Sequence, residues 1–430
     1  MTAGETHTSG ETHRAIEATF RIERARLIAG LARMVRDVGL AEELAQDALV
    51  VALSEWPRTG VPANPGAWLM AVAKRRAIDA LRRDKMRDRK HEEIARTLDE
   101  MSHGAVESIE AAMDDDLGDE LLGLIFTACH PILSPDARAS LTLKVIGGLT
   151  TDEIARAFLS NEATIAQRIG RAKKTIAKAG LNFEAPREAE RAARLPSVLE
   201  VVYLIFNEGY AATAGDDLVR PGLCLEAQRL GRILAGLMPR DAEVLGLLAL
   251  MEIQASRIAA RAGPDGGVVP LTEQNRARWD HLLIRRGLDA LARAEALAKA
   301  VGGDGPYVLQ AALAACHARA RGAADTDWPR IAALYDRLRA AMPSPVVDLN
   351  RAIAHSMAFG PETGLRLVDE IAGDALPNYA PLPAARGDFL FRAGRLAEAR
   401  SQFEAAAKLT RNGRERTFLL ARAEACGREP

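Results

Sequence analysis

The sequence has little cysteine and no long apolar run, and its polar opening does not have the pattern of a signal peptide. The four cysteines are scattered without a C-x-x-C pair, at Cys129, Cys224, Cys316 and Cys426. This spacing argues against a disulfide framework or a zinc site and favours buried structural thiols. The polar opening MTAGETHTSGETH lacks a charged head and an apolar core, and no apolar run reaches the length of a membrane span. We therefore expect a cytoplasmic protein with no membrane partner, no metal and no other cofactor.

A strong net charge is also missing, because 57 lysines and arginines against 58 acidic residues leave −1. The charge is segregated, however: residues 74–90 carry nine cations against three acids, and residues 99–120 carry nine acids without a lysine or arginine. The distribution of charge along the chain is a better guide to binding partners than the net charge. The cations exceed what a helix C-terminus needs to offset its dipole, so phosphate neutralisation is the favoured explanation. The acidic stretch is predicted to be a flexible linker.

Apolar residues recur at helical spacing along most of the chain, and 48% hydrophobic with 27% charged residues is typical of a soluble globular protein. We predict an all-α fold with two small helical DNA-binding domains followed by a helical-repeat domain. Residues 1–13 are predicted to be disordered, and helices are predicted over 14–38 and 41–56. The second helix should bury Leu44, Ala48, Ala52 and Trp56 and expose Glu42, Glu43, Gln46 and Asp47.

A Pro/Gly-rich loop follows, and Asn64 with Pro65 predicts the start of a third helix that carries the basic cluster. Its residue Trp68 is in phase with Val72, which favours a core position over a base-stacking one. Further along, Ser134 followed by Pro135 predicts another helix start.

Residues 149–178 have the pattern of a helix-turn-helix. Thr150 and Glu153 form a T-x-x-E capping box, and Asn161 is positioned to cap a second helix. That helix has one apolar stripe, Ile165, Ile169, Ala172 and Ile176, and an opposite face with Thr164, Gln167, Arg168, Arg171, Lys174 and Lys178. A helix pair with hydroxyl, amide and guanidinium groups outward fits the major groove of DNA. The simpler alternative is an amphipathic helix pair whose charged face is only solvated.

The order of these parts resembles a bacterial RNA polymerase sigma factor of the extracytoplasmic-function type. The resemblance is carried by LAEELAQDALVVALSEW, NPGAWLMAVAKRRAIDALRR and LSPDARASLTLKVIGGLTTDEIARAFLSNEATIAQRIGRAKKTI. It implies a −10 recognition domain over 14–90 that also binds core polymerase, an acidic linker over 91–118, and a −35 recognition helix-turn-helix over 119–181. The implied partners are promoter DNA and the core polymerase with its β and β′ subunits.

The resemblance also implies roles for individual residues. On the helix over 44–56, Glu43, Gln46 and Asp47 would contact core polymerase. The −10 element would be contacted by Trp68, Lys74, Arg75, Arg76, Arg82 and Arg83. Many family members have Asn where this chain has Arg75, which leaves the base preference there open. The −35 element would be contacted by Glu162, Thr164, Gln167, Arg168, Arg171 and Lys174, and which of these reads a base stays open because Arg and Gln also bind phosphate.

Residues 186–430 exceed what the shortest family members need. Gly360 and Gly394 stand 34 residues apart, the period of tetratricopeptide repeats, and residues 387–406 match the packing positions of that repeat. We predict an irregular helical solenoid that binds a protein or peptide ligand. This part resembles the C-terminal domain fused to one sigma-factor subgroup, which implies a modulatory role.

Two other functions compete with a sigma factor. A free-standing transcription regulator with a solenoid sensor needs only the helix-turn-helix and leaves the separate basic helix unexplained. An enzyme would be built on Glu208, Glu226, Cys316, His317 or His355. Each of these has an ordinary structural explanation, and G-x-S-x-G, Walker and H-E-x-x-H motifs are missing, so we expect no enzyme.

Overall fold

The computed structural model describes residues 3–88, 109–158, 160–211, 219–263, 267–371 and 375–427. Within these ranges the fold is all-α, as predicted, and the extended structure is limited to one isolated bridge between Ala262 and Val268. The chain divides into two compact units, Met1–Val201 and Val202–Pro430.

The first unit begins with three helices. They are α1 over Ala3–Val35, α2 over Val38–Thr59 and α3 over Pro65–Asp88. The predicted disorder of residues 1–13 is wrong from Ala3 onward, since α1 runs through this proline-free segment without a break. Asn64 caps α3 as predicted, because the amide of Ala67 donates to its Oδ1 at 3.1 Å.

Helix α2 buries the stripe that the sequence predicted. Leu44, Ala48, Ala52 and Trp56 are all buried, and Trp56 is among the largest fully buried side chains. Gly60 ends the helix with a φ of +85°, a conformation that favours glycine, and its amide donates to the carbonyl of Trp56. The loop over 60–64 then leads into α3.

The second set of helices contains α4 over Ile109–Ala128, α5 over Pro135–Val145, α6 over Thr151–Ala157 and α7 over Glu162–Lys178. Ser134 caps α5 as predicted. Helix α4 begins at Ile109 rather than near Asp119, so the last part of the predicted acidic linker is helical; residues 91–108 lie outside the described residues. Helix α1 packs against α4, so the predicted separate bundles share one compact unit.

Helix α8, over Glu188–Tyr210, begins in the first unit and ends in the second. Its early residues hold α4: Arg194 donates to the carbonyl of Phe126 at 2.7 Å, and Ser197 donates to the carbonyl of Cys129 at 2.6 Å. These hydrogen bonds belong to the first compact unit, which extends to Val201.

The second unit continues as a succession of helices packed against their sequence neighbours. These are α9 over Pro221–Leu237, α10 over Ala242–Ala255, α11 over His281–Val301, α12 over Pro306–Arg319, α13 over Trp328–Ala341, α14 over Pro345–Phe359, α15 over Pro361–Asp369, α16 over Pro381–Arg392, α17 over Leu396–Leu409 and α18 over Gly413–Ala425. Short 3-10 turns lie between α10 and α11.

The predicted repeat positions pack together at the end of the chain. Leu390, Ala399, Phe403 and Ala406 are buried in one cluster. Gly387 lies so close to Phe403 that a β-carbon there would be 2.9 Å from the ring. The helical-repeat prediction for this region is confirmed.

Candidate nucleic-acid interface

Helix α7 presents the predicted polar face to solvent. Its stripe Ile165, Ile169, Ala172 and Ile176 is buried, each residue at 5% exposure or less. The residues Glu162, Thr164, Gln167, Arg171 and Lys174 are exposed. The stripe fixes the rotation of the helix about its axis, so the polar set must face away from the core.

Local hydrogen bonds hold α6 and α7 in the geometry of a helix-turn-helix. The predicted capping box is confirmed: the amide of Thr150 donates to Glu153 Oε2 at 2.7 Å, and the amide of Glu153 donates to Thr150 Oγ1 at 3.1 Å. Asn161 Oδ1 accepts from the amide of Thr164 at 2.7 Å, which confirms the second cap. The first turn of α7 is therefore ordered before any partner binds.

Arg168 differs from the other members of this predicted set. It is half-buried, and its Nη2 lies 3.5 Å from Asp136 Oδ2 on α5. A contact between Arg168 and DNA phosphate would have to compete with this carboxylate, whereas Arg171 is exposed.

Helix α3 carries the second predicted set. Arg75, Arg82 and Arg83 are exposed, whereas Lys74 is half-buried. Arg76 forms an ion pair with Asp47 of α2 at 2.6 Å. The side chains of residues 84–88, and residues 89–90 altogether, lie outside what the structure describes.

Trp68 packs as a partly buried core residue. Its ring meets the ring of Trp56 edge-on, with centroids 5.3 Å apart. Trp56 is 1% exposed, and Trp68 is half-buried. The contact supports the core assignment for Trp68 and leaves part of its ring accessible.

The outer face of α2 holds the predicted polymerase-contacting residues. Glu43, Gln46 and Asp47 are exposed, and Asp47 is also the partner of Arg76. Val50 follows on the same surface at 62% exposure. An exposed apolar side chain beside acidic and amide groups is suited to contact with another protein.

The prediction that Glu42 is exposed is wrong. Glu42 is 5% exposed, and its carboxylate is shared by three cations. Arg24 donates to Oε1 at 2.6 Å, Lys173 donates to Oε2 at 2.7 Å, and Lys144 Nζ lies 3.7 Å from Oε1. We call these four residues the Glu42 cluster. Its members come from α1, α2, α5 and α7, so sequence spacing within α2 carried no signal for it.

The Glu42 cluster joins α7 and α5 to α1 and α2. Arg24 also donates to the carbonyl of Lys144 at 2.6 Å. Burial lowers the pKa of Arg24, and the charge and hydrogen bond of Glu42 oppose that shift. The cluster thus fixes α7 against α2 through a buried carboxylate that is fully hydrogen-bonded.

Two acidic residues considered as catalytic candidates form ion pairs instead. Glu208 pairs with Arg220, and Glu226 accepts from Arg229 at 2.7 Å. Burial raises the pKa of Glu226, although Arg229 lowers it in part. Both carboxylates therefore have a structural partner.

The other three candidates lie apart from these. Cys316 is buried, and burial raises the pKa of its thiol. His317 meets Trp328 edge-on with centroids 5.3 Å apart. His355 lies 3.2 Å from the carboxylate of Asp336. No group of metal-binding side chains is found among the described residues, and none of their helices is long and apolar enough to cross a membrane.

Three protein-family models match successive parts of the chain. Sigma-70 region 2 matches residues 20–87, which include α2 and nearly all of α3. Sigma-70 region 4 matches residues 124–176, which include the helix-turn-helix. A family of unknown function, DUF6596, matches residues 194–295.

Relatives agree with this division. The uncharacterized protein R00370 of Rhizobium meliloti (strain 1021) is 39% identical over 408 residues, which cover 95% of each chain. The probable ECF RNA polymerase sigma factor SigI of Mycobacterium tuberculosis is 30% identical over 165 residues, 38% of this chain and 55% of that one. SigK of Mycolicibacterium vanbaalenii, also an ECF RNA polymerase sigma factor, is 30% identical over 36% of this chain and 76% of its own.

Among solved structures, yeast Tom70 aligns with 97% of this chain and 86% of its own at 12% identity and a TM-score of 0.30. Regions 2 and 4 in this order define the class, a sigma factor. The chain belongs to the sigma-70 family, as an extracytoplasmic-function sigma factor with a fused C-terminal domain.

Proposed function

We propose that this sigma factor binds core RNA polymerase and directs it to promoters by contacting the −35 element through α7 and the −10 element through α3. The observation that supports it most directly is the exposed polar face of α7, held by two side-chain caps and a buried stripe. A prearranged helix of this kind enters a major groove without an ordering cost.

The two contacts have different chemistry in this proposal. On α7, Gln167 has the hydrogen-bonding groups that pair with an adenine edge, and Arg171 has the charge that binds a backbone phosphate. On α3, Arg75, Arg82 and Arg83 are exposed, which suits binding to the phosphates of a displaced strand. The outer face of α2, with Glu43, Gln46, Asp47 and Val50, contacts the polymerase core.

The test is promoter binding by the complex of full-length chain and core polymerase. Replacement of Arg171 with Ala is expected to weaken binding and to reduce the slope of log K against log salt by about one unit, because one phosphate contact is lost. Arg293→Ala is the matched control, since Arg293 is an exposed arginine of α11 in the second unit.

Two results would count against the proposal. One is an unchanged salt slope for Arg171→Ala. The other is tight, sequence-specific binding of the isolated chain to duplex DNA without core polymerase, which would favour a free-standing regulator. We further propose that the second unit modulates this activity.

A further inference from the structure

The end of α10 is followed by a buried arginine for which the described residues provide no anionic partner. Arg257 is 7% exposed, and its buried Nε has no hydrogen-bond partner among these residues. Among the described residues its guanidinium contacts two rings instead, with Cζ 5.8 Å from the centroids of both Tyr210 and Trp279. Burial lowers the pKa of Arg257. Aromatic faces offset part of the cost of burying a cation but leave its hydrogen-bond donors unused.

Two further arginines surround the same rings. Arg261 Cζ lies 3.9 Å from the Tyr210 centroid, and Arg276 Cζ lies 4.9 Å from the Trp279 centroid. Neither forms an ion pair with a described carboxylate within salt-bridge distance. The described acceptors of Arg276 are neutral: the carbonyls of His317 and Ala320 and the hydroxyl of Thr326.

The pKa values of His317 and Arg276 reflect the excess positive charge of this cluster. The pKa of His317 is lowered to about 4, first by burial and then by Arg257 and Arg276. The pKa of Arg276 is lowered by burial and by Arg257, and Asp325 raises it only as the smallest of the three effects. Within the part of the chain that the structure describes, the positive charge of Arg257, Arg261 and Arg276 is therefore not neutralised.

A second buried donor in this cluster is also unsatisfied. Trp279 is 4% exposed, and its Nε1 has no hydrogen-bond partner among the described residues. Native proteins seldom leave two such donors on residues in contact, and one common reason is a ligand that completes their hydrogen bonds. An oxyanion would supply both the acceptors and the missing negative charge.

We propose that Arg257, Arg261 and Arg276, with Tyr210 and Trp279 as aromatic walls, bind a small molecule through its carboxylate or phosphate group. The burial of Arg257 favours a small ligand, because the surface of a protein or a nucleic acid cannot reach a residue so little exposed. Every residue of the site lies in the second unit and outside α2, α3 and α7. The inference therefore does not rest on promoter recognition.

The test is calorimetric titration of the full-length chain with inorganic phosphate and, separately, with succinate, at one ionic strength held by KCl. At least one anion is expected to bind saturably at one site per chain and to raise the unfolding temperature, because the ligand binds only the folded state. If only one binds, it identifies the group that the site takes. Arg261→Gln is expected to weaken that binding by about tenfold or more, as the loss of a charged hydrogen bond does.

Arg261 is chosen because it is half-buried, whereas Arg257 is buried and its replacement would disturb the core. Arg261→Gln removes the guanidinium and its charge and is expected to keep the fold. Arg286→Gln is the matched control, because Arg286 is an exposed arginine of the neighbouring helix α11; it is expected to bind like the unaltered chain. The proposal is overturned if neither anion binds saturably, or if Arg261→Gln and Arg276→Gln both bind as tightly as the control. Transcription assays do not enter this test, so its failure leaves the proposed function untouched.

Discussion

At the scale of single residues, the Glu42 cluster shows what burial does to a charged side chain. One carboxylate accepts from Arg24 and Lys173 and lies 3.7 Å from Lys144. The helical periodicity of α2 predicted that Glu42 lies with Glu43 on the exposed face. That prediction used only residues three or four positions away in the sequence. The partners of Glu42 are up to 131 residues distant in sequence, so only the folded structure reveals them.

Replacement of Glu42 with Gln is expected to destabilise the first unit strongly. The amide keeps the size of the side chain but leaves buried cations without their counter-charge, and breaking a buried ion pair costs about 3–5 kcal/mol. The measurement is the unfolding temperature by differential scanning calorimetry at pH 7. Glu43→Gln is the control, since Glu43 is the exposed neighbour on the same helix. Equal unfolding temperatures for the two variants would contradict the structural role of the cluster.

At the scale of helices, sequence reasoning succeeded wherever the determinant was local. The caps at Asn64, Ser134, Thr150 and Asn161 are all present, because a cap joins a side chain to an amide only two or three residues along. The apolar stripes of α2 and α7 are buried for a similar reason, since their spacing follows the helical turn.

The starts of two helices in polar and acidic segments were harder to predict. Helix α1 extends to Ala3, and α4 begins at Ile109 within an acidic stretch that composition alone marked as a linker. The sequence has a hydroxyl residue directly before each start, Thr2 and Ser108, but the polar and acidic composition around them outweighed that signal. Composition reports the average solubility of a segment and carries little information on whether it is helical.

The capping box of α6 offers a test at this scale. Thr150→Ala removes the acceptor for the amide of Glu153 and is expected to lower the free energy of unfolding of the first unit by about 1 kcal/mol. The measurement is the urea midpoint followed by circular dichroism. Thr164→Ala is the matched control, because Thr164 is exposed on α7 and contributes its amide rather than its hydroxyl to the cap at Asn161. A midpoint for Thr150→Ala that equals that of Thr164→Ala would count against the cap.

At the scale of the whole molecule, the order of regions was visible in the sequence, but the packing within the first unit was not. Regions 2 and 4 carry separate motifs, so their interpretation as separate bundles followed naturally. The contacts of α1 with α4 and of Glu42 with Lys173 join them instead. In the candidate interface, the exposed face of α7 was predicted correctly, whereas the pairing of Arg168 with Asp136 and of Arg76 with Asp47 was not, because both pairs join different helices.

The position of α8 leads to a prediction about where the molecule can be divided. A chain ending at residue 185 would lose Arg194, Ser197 and Glu200, which bind the carbonyls of Phe126 and Cys129 and the guanidinium of Arg138. Arg138 is 7% exposed, so it would be left buried without these acceptors. A chain ending at residue 201 keeps all of these hydrogen bonds.

We therefore expect the chain of residues 1–201 to unfold cooperatively at a higher temperature than the chain of residues 1–185, by calorimetry under identical conditions. Because each lost hydrogen bond to a charged group costs about 1.5–3 kcal/mol, the difference is expected to be several degrees for a domain of this size. Arg138→Met is the control, because it removes the cation that is paired in residues 1–201 and unpaired in residues 1–185; introduced into residues 1–185, it should recover part of the lost stability. If the two chains unfold at the same temperature, α8 does not support the first unit.

If residues 1–201 with core polymerase also select the same promoters as the full chain, promoter choice lies in the first unit, and the second unit acts only on the level of transcription.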